Sequence, residues 1–364
     1  MSYKDEKMKK ILSYYSDRIN GVQDLIGDDP PAILFYLLGE KFSYLMDDDP
    51  EVVISERGVE ARRHFNKVIK LFGPLFLSSK QVIENRNILR NPDSQIEDHE
   101  IVLPDDPVIW TPNHGFKDDA LATVLAIPRN AYFLFGSLPQ FYNTMDGVLA
   151  WANGSILINR KNAHSRSTSI PKCEKVIDMG ADLIIYPEGV WNKSPNLLLL
   201  KLWPGAVRIA KEKGIKIVPI IHYKRELHLT DKRDYIHTVI DDPVDVSNMT
   251  DKEALEYLRD VYAYWLYLMM ERYGKSTREK EVSGFENSTL AWEDKLRQRI
   301  STAARYDFEM ETSADYVDKV DLEILAAWSD IANIQNITPQ NISMVADAKQ
   351  KVKTLHENNF QRRF

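Results

Sequence analysis

The sequence predicts an α/β fold, a mostly parallel sheet flanked by helices, with helical extensions at both ends. Three observations predict it. Five apolar runs of strand length lie between Val108 and Tyr223. The later ones are separated by helical stretches with proline near their start and glycine just past their end. Towards both termini, apolar residues recur at helical spacing instead. Alternating strands and helices imply a parallel sheet covered on both faces. The expected organisation is a helical N-terminal region over 1–100, an α/β domain over 101–250 and a helical C-terminal region over 251–364.

Met8 to Ile19 shows loose helical periodicity, and Pro31 is placed to open a helix running through Leu45. Ser55 to Leu71 is amphipathic and is stopped by Gly73-Pro74. The polar stretch Asn91 to Glu100, "NPDSQIEDHE", reads as a loop and a domain boundary. The strand candidates are Val108 to Pro112, Ala131 to Phe135, Ser155 to Asn159, Asp182 to Tyr186 and Lys216 to Tyr223. A helix over Ser169 to Met179, with Pro171 in its first turn, ends at Gly180. Another is opened by Pro204 and closed by Gly214. Pro219, inside the last strand, marks a bulge or an edge. Thr250 and Glu253 form a capping box. Leu255, Leu258, Val261, Trp265 and Leu268 then line one helix face, and Ser288–Tyr306, Ala314–Ile331 and Pro339–His356 continue in that style.

Composition narrows the function classes. Hydrophobic residues make up 44% and charged residues 28%, as in a globular protein with a sizeable core. The net charge of -7 and pI of ≈ 5.7 argue against a nucleic-acid partner. A single cysteine, Cys173, fits a reducing compartment. No metal-ligand spacing is present, the opening residues lack a signal-peptide core, and no apolar run approaches the length of a membrane span. A cytoplasmic protein, peripheral on the membrane and without a transmembrane segment, is expected.

The candidate chemistry begins at "TPNHGFKDDAL", Thr111 to Leu121. His114 follows a strand end, where ligands bind in open parallel sheets, and Asp119 lies about a turn further on. The pair fits a base and its orienter, or an ordinary strand end and helix cap. Spacing alone does not decide, because His237 and Asp242 share it. Three more stretches weigh in: "GSILINRKN" from Gly154 delivers Arg160 after a strand, "YPEGVWNKS" from Tyr186 ends a strand in Pro-Glu-Gly, and "IKIVPIIH" carries Pro219. Each has an ordinary reading by itself, as a surface charge, a turn and an edge marker.

In order, these stretches read NH-x4-D, G-x-I-x-I-x-R, [FY]-P-E-G and [IV]-[VIL]-P-[VI]. That order resembles the glycerolipid acyltransferase family of the 1-acylglycerol-3-phosphate acyltransferase type. The resemblance covers about Thr111 to Ile221. It implies that His114 is the catalytic base and Asp119 its partner. It puts Asn113, Gly154, Arg160, Glu188, Gly189 and Pro219 on substrate-binding blocks. Gly154 and Arg160 fall on a phosphate-holding block, Glu188 and Gly189 on an acceptor block, and Pro219 on one linked to the acyl side and packing. Two positions depart from the pattern. Val190-Trp191-Asn192 stands where the family has Thr-Arg-Ser, and Gly136 lies near the place of a usual lysine.

The implied reaction moves a fatty acyl group from a thioester, acyl-CoA or acyl-carrier protein, to a hydroxyl of a glycerolipid or lysophospholipid. No bound cofactor, no metal and no acyl-enzyme are implied, and Cys173 sits inside a predicted helix. The partners are a lipid acceptor, the acyl thioester and, reversibly, a membrane surface; oligomeric state stays open. "NLLLLKLWPG", Asn196 to Gly205, is the candidate docking stretch, with a buried connector as its ordinary reading. The stretches near Phe35 and Phe72 are weaker candidates. The competing function is a catalytically silent lipid-binding or scaffolding protein that keeps the fold.

Overall fold

The structure, a computed structural model, describes residues 42–84, 101–116, 118–143, 145–192, 199–225 and 234–273. The expected helices over Met8–Ile19 and Ser288–His356, the start of the one from Pro31, and the 91–100 loop lie outside these residues.

In chain order the strands are β1 (Lys80–Ile83), β2 (Ile109–Pro112), β3 (Ala131–Phe135), β4 (Ser155–Leu157), β5 (Asp182–Ile184), β6 (Ile217–Arg225) and β7 (Tyr235–Ile240). The helices are α1 (Pro50–Val53), α2 (Glu56–Phe72), α3 (Asp119–Ala126), α4 (Leu138–Asn143), α5 (Met145–Asn153), α6 (Ala163–Asp178), α7 (Gly205–Lys213) and α8 (Asp251–Tyr273). Short 3-10 turns occupy Ser43–Met46 and Gly73–Leu75. The strands form one sheet in the order β1-β7-β6-β2-β5-β3-β4. The block from β6 to β4 is parallel, and β7 pairs antiparallel with β6. The fold is therefore the expected mostly parallel sheet flanked by helices.

Both faces of β2 are covered. Ile109 belongs to the larger core cluster with Val207, Leu258 and Val261, while Trp110 faces the other cluster with Val124, Ile127 and Val218. All four residues of β2 are fully buried, which is why they read as a continuous apolar run rather than an alternating one. Helix α8 opens with the capping box: Thr250 N donates to Glu253 Oε2 at 2.7 Å and Glu253 N to Thr250 Oγ1 at 3.2 Å. Its residues Leu258, Val261 and Tyr262 are fully buried, and Tyr262 Oη donates to Thr111 O at 2.7 Å. The α/β unit thus reaches past residue 250 through α8. It also reaches back before residue 101 through β1, which pairs with β7.

Three elements differ from expectation. Strand β1 is a four-residue edge strand, too short to stand out from helical surroundings. Strand β7 follows residues 226–234, which contain no glycine, proline or asparagine to announce a turn. Helix α6 starts at Ala163, so Pro171 lies in its interior. Asn162 caps it, its side chain accepting from His164 N at 2.9 Å and Ser165 N at 3.1 Å. Ser167 and Ser169 hydroxyls donate back to His164 O and Arg166 O at 2.8 and 2.9 Å, so these polar residues are satisfied within the helix they disguise.

Pro219 does mark a bulge, yet the strand is interior. Ile220 pairs with Ile240, and Ile217 bridges Val244. Between those contacts residues 241–243 face only 218–219, one residue more than regular pairing allows. Pro219 needs no N–H partner there, while its carbonyl accepts from Asp241 N at 2.9 Å.

Candidate active site

The β2 ladder ends by handing the chain to a tight set of backbone clamps. Asn113 N donates to Ile220 O at 3.2 Å, and the Asn113 side chain grips the backbone of His222 in β6: Nδ2 donates to His222 O at 3.1 Å and His222 N donates to Oδ1 at 2.7 Å. His114 follows. Its N–H donates to Glu188 Oε1 at 2.7 Å, and its carbonyl accepts from Asn192 N at 2.7 Å. Glu188, buried at 1% exposure, takes Leu200 N on its other oxygen at 2.8 Å. Both backbone groups of His114 are thus fixed by the Pro-Glu-Gly turn and the residues after it.

With the backbone fixed, the ring is aimed by Asp119. His114 Nδ1 lies 2.8 Å from Asp119 Oδ2. The aspartate side chain is fully buried, whereas the histidine retains 16% exposure. Asp119 opens α3, where the helix N-terminus favours a carboxylate, and its Oδ2 also accepts from Phe116 N at 3.3 Å. Asp119 Oδ1 is buried with no hydrogen-bond partner. The Tyr186 ring lies 4.1 Å from the His114 ring and Trp191 lies 5.6 Å from it, forming an aromatic wall. Burial first, and the Asp119 charge second, push the Tyr186 phenol well above its ordinary value, so it stays protonated.

Arg160 enters from the end of β4. Its guanidinium passes between two glycines: a Cβ on Gly136 would stand 2.6 Å from Arg160 Nε, and one on Gly189 would stand 3.4 Å from Nη1. Gly189 also needs its positive φ of 79° to close the turn in which its N–H donates to Tyr186 O at 3.0 Å. That bond occupies the Gly189 N–H. Exposed Arg166 donates to the Arg160 carbonyl. Lys193 lies outside the described residues.

Among the residues singled out from sequence, His114, Asp119, Asn113, Arg160, Glu188 and Gly189 meet at the carboxyl ends of the parallel strands. Gly154 does not. It sits at the amino end of β4 with φ of 113°, where a Cβ would lie 2.8 Å from the Tyr132 ring. Pro219 pairs with Thr111 within the sheet below the site. Asn113 and Glu188 spend their side chains on backbone groups of the site itself. Thr123, Asn192 and His222 were not singled out from sequence. His222 closes the quoted fourth stretch, but nothing local marks it. In the candidate docking stretch, Leu199, Leu200 and Leu202 are buried at 5%, 3% and 7% exposure and tied to Glu188, as its ordinary reading as a connector expects, while Lys201 is exposed, Trp203 is half-buried and residues 196–198 lie outside the described residues. Among the described residues no acid, histidine and cysteine cluster suits a metal, and no helix is long and apolar enough to cross a membrane. Cys173 is fully buried, and burial raises its thiol to about 12.

The second pair at the same spacing is not a copy of the first. His237 Nδ1 meets Glu84 Oε1, not Asp242, and Tyr273 stacks on the His237 ring at 3.7 Å. It is a buried link between β1, β7 and the end of α8.

Comparison with known proteins agrees with the motif order. The family model described as Acyltransferase matches residues 93–223, which contain all four blocks. A 1-acyl-sn-glycerol-3-phosphate acyltransferase of Chlamydomonas reinhardtii is 26% identical over 121 residues, 32% of this chain and 34% of that protein. The match therefore spans about a third of the length of that curated relative. The crystal structure of the 1-acyl-sn-glycerophosphate (LPA) acyltransferase PlsC from Thermotoga maritima is similar over 67% of this chain and 97% of its own, at 15% identity and a TM-score of 0.42. Residues 93–223 thus resemble an acyltransferase domain, and all four motif blocks lie within the matched stretch.

Proposed function

We propose that this protein is an O-acyltransferase that moves a fatty acyl group from a thioester donor, acyl-CoA or acyl-carrier protein, to a hydroxyl of a glycerolipid or lysophospholipid. The observation that carries the reading is the His114–Asp119 pair, held at 2.8 Å with the carboxylate buried and the imidazole partly open. An alcohol is a poor nucleophile at neutral pH. With Nδ1 committed to Asp119, Nε2 is the nitrogen left to take the acceptor's proton as its oxygen attacks the thioester carbonyl. Asp119 holds the tautomer and stabilises the imidazolium that forms. The C–S bond then breaks, and the thiol leaves with the proton. No acyl-enzyme is needed.

Arg160 supplies a planar fork suited to a phosphate oxygen pair. Trp191 replaces the family's second cation and walls the site beside His114. These two features favour an acceptor with a phosphodiester or an uncharged head over lysophosphatidate. A silent lipid-binding role fits less well, because a buried carboxylate aimed at a half-open histidine is costly to keep without chemistry.

Reversible membrane contact, if it serves this reaction, has a different surface from the buried 199–202 connector. Along α2 and the turn after it, Leu71, Phe72, Leu75 and Phe76 are 71%, 50%, 78% and 70% exposed. An apolar ridge beside Lys67 and Lys70 suits a lipid interface. The deciding experiment incubates purified protein with one long-chain acyl-CoA, or the acyl-carrier-protein thioester, and a panel of lysolipids read by mass spectrometry. New diacyl product that disappears in His114→Ala supports the reading. No product from any pair, with the protein folded, overturns it.

A further inference from the structure

Behind the His114–Asp119 pair runs a single file of buried hydrogen bonds centred on His222, which is 2% exposed. His222 Nε2 lies 2.8 Å from Thr123 Oγ1, and Thr123 Oγ1 donates to the backbone carbonyl of Asp119 at 2.8 Å. On the other side, His222 Nδ1 lies 3.0 Å from Thr238 Oγ1, which accepts from Gln81 Nε2 at 3.0 Å.

Only one arrangement of protons satisfies this chain. Gln81 Nε2 also donates to Ala122 O at 2.8 Å, and a carbonyl can only accept, so the Gln81 amide nitrogen faces inward. At the other end, Thr123 spends its one hydroxyl proton on Asp119 O, so His222 Nε2 carries the ring proton and donates to Thr123. Nδ1 of the neutral ring then accepts from Thr238, which itself accepts from Gln81. Tyr186 Oη, 3.1 Å from Thr123 Oγ1, is left to donate to it. Burial, followed by the charge of His114, holds His222 down to about 3, so the ring is neutral throughout the working range.

The same residue grips the other half of the pair. Through its backbone N and O, His222 binds both ends of the Asn113 amide, immediately before His114. The geometry points to His222 as a positioning residue that holds two elements in register: by its backbone the turn carrying His114, and by its side chain, through Thr123, the first turn of the helix carrying Asp119. It acts through these groups and does not touch substrate. The inference rests on the reading of His114 and Asp119 as the catalytic pair.

The test uses the full chain. Thr123→Val removes the hydroxyl and keeps the shape, Thr123→Ser keeps the hydroxyl, and His222→Leu removes the ring donors. Two readouts are followed: steady-state transfer, and the downfield Nδ1 proton of His114 by NMR, which reports the histidine–carboxylate bond without turnover. In Thr123→Val, kcat is expected to fall roughly tenfold while KM moves by less than about twofold, the scale of a small misplacement of reacting groups. The His114 resonance should be lost or broadened in Thr123→Val and His222→Leu. Thr123→Ser should retain both the resonance and most of the rate. Unchanged kcat and an unchanged His114 signal in Thr123→Val overturn the inference. The same holds if the wild-type protein lacks that signal. If His222→Leu does not fold, Thr123→Val decides. If the wild-type protein transfers no acyl group, the NMR arm still decides the positioning role, and the functional reading falls separately.

Discussion

His114 depends on neighbours for its position. Glu188 and Asn192 clamp its backbone and Asp119 aims its ring, so removing the imidazole should leave the scaffold standing. His114→Ala should lower turnover by roughly 10²–10⁴-fold, with an unchanged circular dichroism spectrum. Asp119→Asn should lose less, since the ring keeps its backbone clamps. Near-wild-type transfer by His114→Ala would remove the base from the mechanism. In the proposed function Trp191 governs the acceptor. Trp191→Arg restores a second cation and should shift the ratio of kcat/KM for lysophosphatidate over lysophosphatidylcholine upward by roughly one to two orders of magnitude, the worth of a charge-assisted contact. The ratio cancels any general damage from losing the ring beside His114. A ratio that stays put assigns acceptor choice to another residue. His237, by contrast, shares the spacing of His114 but is spent on Glu84 and Tyr273, so its loss should register in stability before it registers in rate.

Among the elements, α8 and α2 make opposite cases. Helix α8 lies on β6, with Leu258, Val261 and Tyr262 fully buried. Leu258→Ala should destabilise the protein by about 2–5 kcal/mol in urea unfolding, the range for a buried leucine that leaves a cavity. A change below about 1 kcal/mol would mean that the helix can collapse onto the gap. Helix α2 leaves its apolar end outside. Leu75→Ser with Phe76→Ser should leave unfolding nearly unchanged and weaken flotation with liposomes containing anionic phospholipid. Flotation that persists moves the interface off this ridge. Loss of folding in the double variant shows that the ridge is covered by another part of the chain.

The pH behaviour of the whole molecule should carry the mark of His222. Its value in the folded protein, about 3, is below the ordinary 6.5 because burial disfavours the charged ring. Below pH 6.5 the unfolded chain therefore binds a proton that the folded chain refuses. This contribution is fully present above pH 6.5 and is lost as pH falls, by up to about 1.4 kcal/mol per pH unit, until the folded protein protonates near 3. Urea unfolding of wild type and His222→Gln at pH 7, 6 and 5 should show a flatter decline in the variant. Parallel declines would place the acid sensitivity in other groups.

How much of this was legible without coordinates depended on whether the signal was local. The five parallel strands were read because each is a largely buried apolar run, and α7 and α8 because their ends are written in Pro204, Gly214, Thr250 and Glu253. The family resemblance was carried by four short blocks for the same reason: each is a contiguous run of residues in or beside a strand. The edge strand β1, the antiparallel β7 and the early start of α6 were not read. A four-residue edge lacks a pattern, a connection without glycine, proline or asparagine lacks a clear mark, and serines bonded back to their own helix look like a loop. The sequence by itself determined which residues are the candidates for chemistry, His114 and Asp119, and that Trp191 and Gly136 depart from the family's pattern. Only the tertiary structure decided the partners. Glu188 serves the backbone of His114, Gly136 and Gly189 make room for Arg160, Gly154 lies at the far end of its strand, and Leu199 is core. Distances across a sheet are set by register and crossover, and neither is written in the spacing of one chain segment.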